Sequence, residues 1–238
     1  MLAGLPPVHP TVVDLLAATA HRVPEREALV CGEKRLAYGE YLSCVAGLAE
    51  ALGALGIRGE RVALLLPNSL ESALATFAVH AVGAQVVPLN PLYTARELEA
   101  ILADAAPRVF LFDAALAATA GPLADGCGIA HALPVAVGDD RWLRWRRDAL
   151  ALRSPRPAPD DLAFIQYTGG TTGRSKGVML THRAVSANVS QREGLLPTGR
   201  DGERILCVMP LFHSYALSMG LYLAAYCGGT LVILPRYR

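Results

Sequence analysis

Apolar positions change their spacing along the chain, and each change marks an element. Thr11 and Asp14 form a capping box after Pro10, and Val12, Leu15 and Leu16 follow at helical spacing. Glu27–Cys31 and Arg35–Tyr38 flank Gly32-Glu33-Lys34 and read as a hairpin. Tyr41, Val45, Leu48, Leu52 and Leu55 make one helical face, which Gly56 ends. A strand–helix alternation then begins. Arg61–Leu66 is a short apolar run. Pro67-Asn68-Ser69 turns the chain and caps a helix with Leu70, Leu74, Phe77 and Ala81 on one face, closed by Gly83. Ala84–Leu89 is the next strand. Thr94 and Glu97 form a second capping box before Leu98, Ile101 and Leu102, and Arg108–Phe112 is a third strand. Short, nearly continuous apolar strands between amphipathic helices predict an α/β fold, with mostly parallel sheet layers flanked by helices.

Residues 133–161 break this rhythm. Pro155, Pro157 and Pro159 mark an exposed connection, preceded by Arg141-Trp142-Leu143-Arg144-Trp145-Arg146-Arg147. A basic run with tryptophans suits a membrane surface or nucleic acid. It equally suits a short helix whose tryptophans cover the domain while its arginines face water. The chain as a whole favours the second reading, because its formal net charge is only +1. Further on, the pattern predicts a helix opening near Thr181-His182, a strand at Arg204–Met209 and a loop at Pro210–Ser214. A helix over about Tyr215–Tyr226 and a strand at Thr230–Leu234 complete it.

Composition narrows the setting. At 53% hydrophobic and 18% charged residues the chain can bury a large core. Five widely spaced cysteines argue against a disulfide framework, and six scattered histidines form no readable zinc site. The longest apolar stretch, Leu70–Pro88, contains Glu71 and His80 and does not read as a membrane span. No signal peptide is legible, so the expectation is a cytoplasmic protein with no nucleic-acid partner and no transmembrane segment.

The stretch with most chemistry is Tyr-Thr-Gly-Gly-Thr-Thr-Gly-Arg-Ser-Lys-Gly, residues 167–177. Glycines let a backbone turn tightly and bring N–H groups close to a ligand, and successive N–H groups make a concave anion site. Threonine hydroxyls and Lys176 add donors and positive charge. It is not a Walker loop, because Gly177 follows Lys176 and Val178-Met179-Leu180-Thr181 reads as a strand rather than a helix. A polyphosphate gripped from a strand-to-strand loop and a Gly/Thr turn without a ligand both fit the residues alone.

The longer run Tyr167–His182 resembles the phosphate-loop signature of the adenylate-forming superfamily, which includes acyl-CoA synthetases. Leu66-Pro67-Asn68-Ser69, Gly83–Pro91, Tyr93–Leu98 and Met209-Pro210-Leu211-Phe212-His213 look like further family blocks in family order. Gly170 and Leu-Phe-His-Ser-Tyr-Ala-Leu from Leu211 are closest to fatty acyl-CoA ligases. The resemblance implies carboxylate adenylation by ATP with Mg2+, then thioester formation with coenzyme A. The implied substrate is a fatty or other apolar acid. By similarity, Thr168, Gly169, Gly170, Thr171, Thr172 and Gly173 bind the phosphates, Lys176 neutralises charge there, and Thr168 contacts the metal. His213 borders the acyl site. His182 begins a helix, and capping or packing explains it without ligand chemistry. The apolar face of Tyr215–Tyr226 fits either an acyl tunnel or core packing.

The resemblance also implies an incomplete N-terminal domain of that fold. Residues of about 60–200 would form one α/β layer with the phosphate loop. Residues 11–56 and 204–238 would form parts of a second, and the C-terminal domain would be absent. On that reading the 238 residues alone do not turn over substrate, and an exposed sheet edge invites self-association. Two alternatives remain open: a non-catalytic nucleotide- or partner-binding fragment, and an enzyme adenylating an amino or aryl acid.

Overall fold

The computed structural model describes residues 6–153, 156–169, 175–199 and 202–235. Helix α1 (Val12–Arg22) opens on the Thr11–Asp14 capping box. Strands β1 (Glu27–Cys31) and β2 (Lys34–Ala37) form the first hairpin, and α2 (Tyr38–Gly53) follows. Then come β3 (Arg61–Leu65), α3 (Leu70–Ala81), β4 (Gln85–Pro88), α4 (Ala95–Ala105) and β5 (Val109–Asp113). The Ser69 hydroxyl caps α3 and the Thr94–Glu97 box caps α4, each where the residue types call for it.

The alternation runs further than the sequence pattern shows. Helix α5 (Ala117–Gly126) and strand β6 (His131–Val135) continue it, so the break begins after Val135 rather than at Leu133. Gly121 and Pro122 inside α5 hide the helical signal. Strands β7 (Leu162–Thr168) and β8 (Lys176–Thr181) flank the glycine-rich loop, and α6 (His182–Leu195) and β9 (Arg204–Cys207) follow. The expected single α-helix over 215–226 is corrected to three joined pieces. These are α7 (Ser214–Ala216), a π-helical stretch (Leu217–Tyr222) and α8 (Leu223–Cys227), leading to β10 (Thr230–Ile233). The residues there are mostly apolar on every side, with Ser218 and Gly220 the only breaks after Tyr215, so no spacing distinguishes a π turn from an α turn.

Two sheets result. One has the order β6-β5-β3-β4-β7-β8 and is parallel except at β7/β8; the other, β2-β1-β10-β9, is parallel except at β1/β2. Side chains alternate across β3. Val62 and Leu64 face a large core shared with α1, α2, α3 and the 214–227 helix, while Ala63 and Leu65 face α4 and α5. Every residue of α3 is buried, and Phe77 at its centre meets Tyr41 and Tyr222 edge-on at 5.7 and 5.5 Å. The edge strands β8 and β9 expose Met179 (65%) and Leu206 (58%). No helix among the described residues is long and apolar enough to cross a membrane.

The Arg/Trp run packs against the domain. Its tryptophans lie half-buried against the large core, Arg146 pairs with Glu40 at 3.0 Å, and the Arg144 guanidinium sits 4.1 Å over the Trp145 ring. Only Asp140–Leu143 is helical there, as a short 3-10 turn.

Candidate functional site

The antiparallel ladder of β7 and β8 ends with Thr168 opposite Lys176, so the glycine-rich segment joins two strands as its residues predict. Thr168, Gly169 and Lys176 are exposed at the mouth of this hairpin. The Ser175 hydroxyl donates to the Thr168 carbonyl at 3.0 Å. A Cβ built on Gly169 would meet nothing within 4 Å, which leaves open space at the loop entrance. Gly170, Thr171, Thr172 and Gly173 lie outside the described residues.

The base of the hairpin is tightly fixed. Tyr167 pairs across the ladder with Gly177, where a Cβ would meet Ile165 Cγ2 at 2.7 Å and the Tyr167 ring at 3.2 Å. Only glycine lets the ring lie over the opposite strand. The Tyr167 hydroxyl donates to Asp104 of α4, and burial together with that carboxylate pushes the phenol pKa up. A hydroxyl and a lysine at an open turn suit an anion. They do not make a cage for a divalent cation, and no cluster of three His, Cys, Asp or Glu side chains gathers among the described residues. A single threonine hydroxyl is compatible only with a magnesium ion that bound phosphates would themselves carry in.

His213 stands in a second loop, at the carboxyl end of β9. Asn68, just past the carboxyl end of β3, ties this loop down. Its amide nitrogen donates to the carbonyls of Met209 and Leu234, each at 3.1 Å, and its oxygen accepts from Leu211 N at 2.6 Å. Gln166 of β7 reaches the same loop through Nε2 to the Phe212 carbonyl at 3.3 Å. The His213 side chain is exposed, while its backbone N–H donates to Pro210 O at 2.9 Å and its carbonyl accepts from Leu217. The hairpin and this loop thus share the carboxyl ends of their strands, where open α/β sheets bind ligands. Gln166–Phe212 is the contact that links them.

A cavity of about 530 Å³ opens between β7, β8, α6 and the 214–227 helix; Ser214 lines it, and His213, one residue earlier, does not. Phe164, Leu180, Val185, Leu217, Met219 and Tyr222 supply its apolar walls. Of the helix face expected to serve either a tunnel or a core, Leu217 and Tyr222 belong to the large core and also line this cavity. Ser218 and Asn188 form a polar pair in the lining, the serine hydroxyl donating to the amide oxygen.

His182 is structural, in keeping with the packing explanation. The helix cap is Thr181, whose hydroxyl accepts from Ala184 N at 3.1 Å, while His182 is completely buried. It meets His80 edge-on at 5.2 Å, and His80 Nε2 lies 2.9 Å from the Tyr222 hydroxyl. Both ring nitrogens of His182, and Nδ1 of His80, lack a hydrogen-bond partner among the described residues. Burial lowers both pKa values, that of His182 to about 4.

Several residues of this site carry no sequence signal for their role. Asn68 is visible only as a turn residue, Asp104 only as a helix-surface acid, and Asn188 and Ser218 only as polar interruptions. The cross-strand pairing of Tyr167 with Gly177 was legible in principle, since a hairpin register places them opposite each other.

Comparison with known proteins agrees with this geometry. Residues 16–238 match the family model described as AMP-binding enzyme. The chain is 36% identical over 236 residues to 3-[(3aS,4S,7aS)-7a-methyl-1,5-dioxo-octahydro-1H-inden-4-yl]propanoyl:CoA ligase of Mycobacterium tuberculosis, covering 93% of this chain and 46% of that protein. It is 30% identical to a long-chain-fatty-acid–CoA ligase of Escherichia coli, covering 98% and 48%. Among solved structures it resembles the long-chain-fatty-acid-CoA ligase FadD1 of Archaeoglobus fulgidus, with a TM-score of 0.86 at 27% identity over 99% of this chain and 50% of that one. The N-terminal domain of FACL13 from Mycobacterium tuberculosis matches with a TM-score of 0.83 at 29% identity, covering 97% and 58%. The chain spans about half the length of the curated relatives it matches. With a glycine-rich hairpin set at the carboxyl ends of a mostly parallel sheet, this chain belongs to the AMP-binding enzyme family and has the fold of the N-terminal domain of adenylate-forming enzymes.

Proposed function

We propose that this chain is the phosphate- and acid-binding part of an ATP-dependent acyl-CoA ligase acting on a fatty or other apolar carboxylic acid. One observation carries the reading. Strand β7 lines the apolar cavity with Phe164 and Gln166 and ends at Thr168, so one rigid element would place acid and nucleotide side by side. In this reaction a carboxylate oxygen attacks the α-phosphorus of ATP. The bond to the β-phosphate oxygen breaks, and pyrophosphate leaves with that electron pair. The coenzyme A thiol, losing its proton, then attacks the acyl carbonyl and displaces AMP.

The roles follow the charge that develops. Thr168, Gly169, Gly170, Thr171, Thr172 and Gly173 hold the departing phosphates, and Lys176 neutralises them. One preorganised donor at such a position is worth roughly 3 kcal/mol of barrier. Magnesium would enter on the phosphates with the Thr168 hydroxyl as a ligand, adding charge neutralisation. His213 borders the reacting carboxylate at the cavity mouth. Residues of about 60–200 form the layer that carries the hairpin, and 11–56 with 204–238 contribute to a second layer. The mycobacterial relative is named for a bicyclic dioxo propanoate and the enterobacterial one for long-chain fatty acids. Both are acids with a largely apolar body. An amino acid substrate is disfavoured, because no aspartate or glutamate among the described residues lines the cavity to meet an ammonium.

Calorimetric titration of the 238-residue chain with pyrophosphate tests the phosphate assignment. Binding that weakens roughly 10- to 100-fold in Lys176→Ala is expected, the range for one hydrogen bond between charged groups. No binding, or an affinity indifferent to Lys176, refutes it. A pyrophosphate-release assay with ATP, coenzyme A and fatty acids is expected to stay silent for these 238 residues by themselves.

A further inference from the structure

We infer that the cavity takes an acid whose apolar body carries an oxygen, a ketone or a hydroxyl, set apart from the reacting carboxylate. The inference rests on the proposed reading of the cavity as an acid site. Its ground is the solvent-accessible Ser218–Asn188 pair, which joins the π-helical stretch to α6 among the apolar residues of a lining whose other polar members are Gln166, Ser214, Tyr215 and Tyr222. With the serine donating to the amide oxygen, both hydrogens on Asn188 Nδ2 are left over, together with lone pairs on Ser218 Oγ. With the amide turned round, one Nδ2 hydrogen and the serine proton are left over. Either orientation offers a donor to a third group.

Two other polar groups of the lining are committed, while the Ser214 and Tyr215 hydroxyls lie next to His213 in the chain, at the end assigned to the carboxylate. The Tyr222 hydroxyl is held by His80 at 2.9 Å, and Gln166 Nε2 by the Phe212 carbonyl at 3.3 Å. A plain alkyl chain laid over Ser218 and Asn188 would strip them of water and return nothing, which costs free energy. A carbonyl or hydroxyl oxygen restores the bond. From His213 to Ser218 the helix advances about 7 Å, so the oxygen lies several carbons from the carboxylate. A site built to hydrogen-bond a substrate oxygen discriminates against the analogue lacking it far better than an apolar wall resolves one methylene.

The test is calorimetric titration of the 238-residue chain with decanoic acid and with monoketo decanoic acids bearing the carbonyl at successive carbons. At least one keto acid is expected to bind about tenfold tighter than decanoic acid, the value of one net hydrogen bond. The ratio should collapse towards one in Asn188→Leu and in Ser218→Ala, with melting curves checking that both variants fold. Equal affinity for every acid overturns the inference and leaves the acid-site reading standing. A preference that survives both substitutions likewise overturns it. Absence of binding by any acid to the folded chain overturns both.

Discussion

Tyr167 donates its phenolic proton to the Asp104 carboxylate, fastening the strand that enters the glycine-rich hairpin to helix α4. The ring itself lies over Gly177 on the returning strand. The hairpin base is therefore held from two sides. Tyr167→Phe should remove about 1 kcal/mol of stability, because exposed Asp104 regains water, and that corresponds to a melting shift of about 2–4 °C. Asp104→Asn keeps an acceptor and should cost less. Both are read by thermal melts. A Tyr167→Phe variant as stable as the parent and equally able to bind pyrophosphate would show that the bond fixes nothing.

Asn68 holds three backbone groups from two segments that are far away in the chain. Asn68→Ala should destabilise by about 2 kcal/mol, with two carbonyls and one N–H losing their partner. Asn68→Asp should do no better. It can still accept from Leu211 N, but it turns lone pairs towards the Met209 and Leu234 carbonyls. Urea melts measure both. If Asp restores what Ala loses, the donor half of the amide is unimportant.

The local parts of this architecture were legible because their causes are local. Thr94 and Glu97, or Ser69 and the turn before it, cap helices with bonds spanning three residues. The β7–β8 hairpin follows from a glycine cluster between two apolar runs. What escaped depends on contacts that no spacing encodes. Asn68 meets Met209 across 141 positions, and Tyr167 meets Asp104 across 63. The π stretch at Leu217–Tyr222 escaped because apolar residues there serve core and cavity at once. Helix α5 escaped because Gly121 and Pro122 speak against a helix that tertiary packing of Ala120, Leu123 and Ala124 supports.

Gly47 on α2 is a contact point for the connection that carries the tryptophans. A Cβ there would lie 2.3 Å from Trp145 Cγ and 2.4 Å from Cδ2, closer than real contacts allow. The segment has little room to retreat, since Ser43 Oγ donates to Trp145 O at 2.6 Å and accepts from Leu150 N at 3.0 Å. Gly47→Ala, normally favourable inside a helix, should here destabilise by about 1–3 kcal/mol through overpacking. Trp145 fluorescence should report the displaced ring. Trp145→Ala in the same background should recover part of the loss, and failure to do so would separate the two residues.

The buried histidine pair predicts how stability responds to mild acid. Burial lowers the pKa of His182 to about 4 against the weaker opposing pull of Asp161 and Asp14, and that of His80 falls well below 6.5, helped by the charge of His182. The unfolded chain therefore takes up protons below about pH 6.5 that the folded chain refuses. More protons bind the unfolded state, so stability is complete above that value and falls as pH drops towards 4. The slope is at most about 1.4 kcal/mol per pH unit for each ring. This window lies above the one in which the depressed carboxylates Glu40, Glu97, Asp140 and Asp160 titrate. Urea melts at about pH 7 and about pH 5 should show the loss, and His182→Leu should reduce it, leaving the contributions of His80 and of half-buried His9, whose pKa burial also lowers. At neutral pH that substitution should cost within about 1 kcal/mol, because the imidazole it removes has no hydrogen bond to lose among the described residues. A parent chain equally stable at both values would mean that both rings are protonated in the fold at the lower pH.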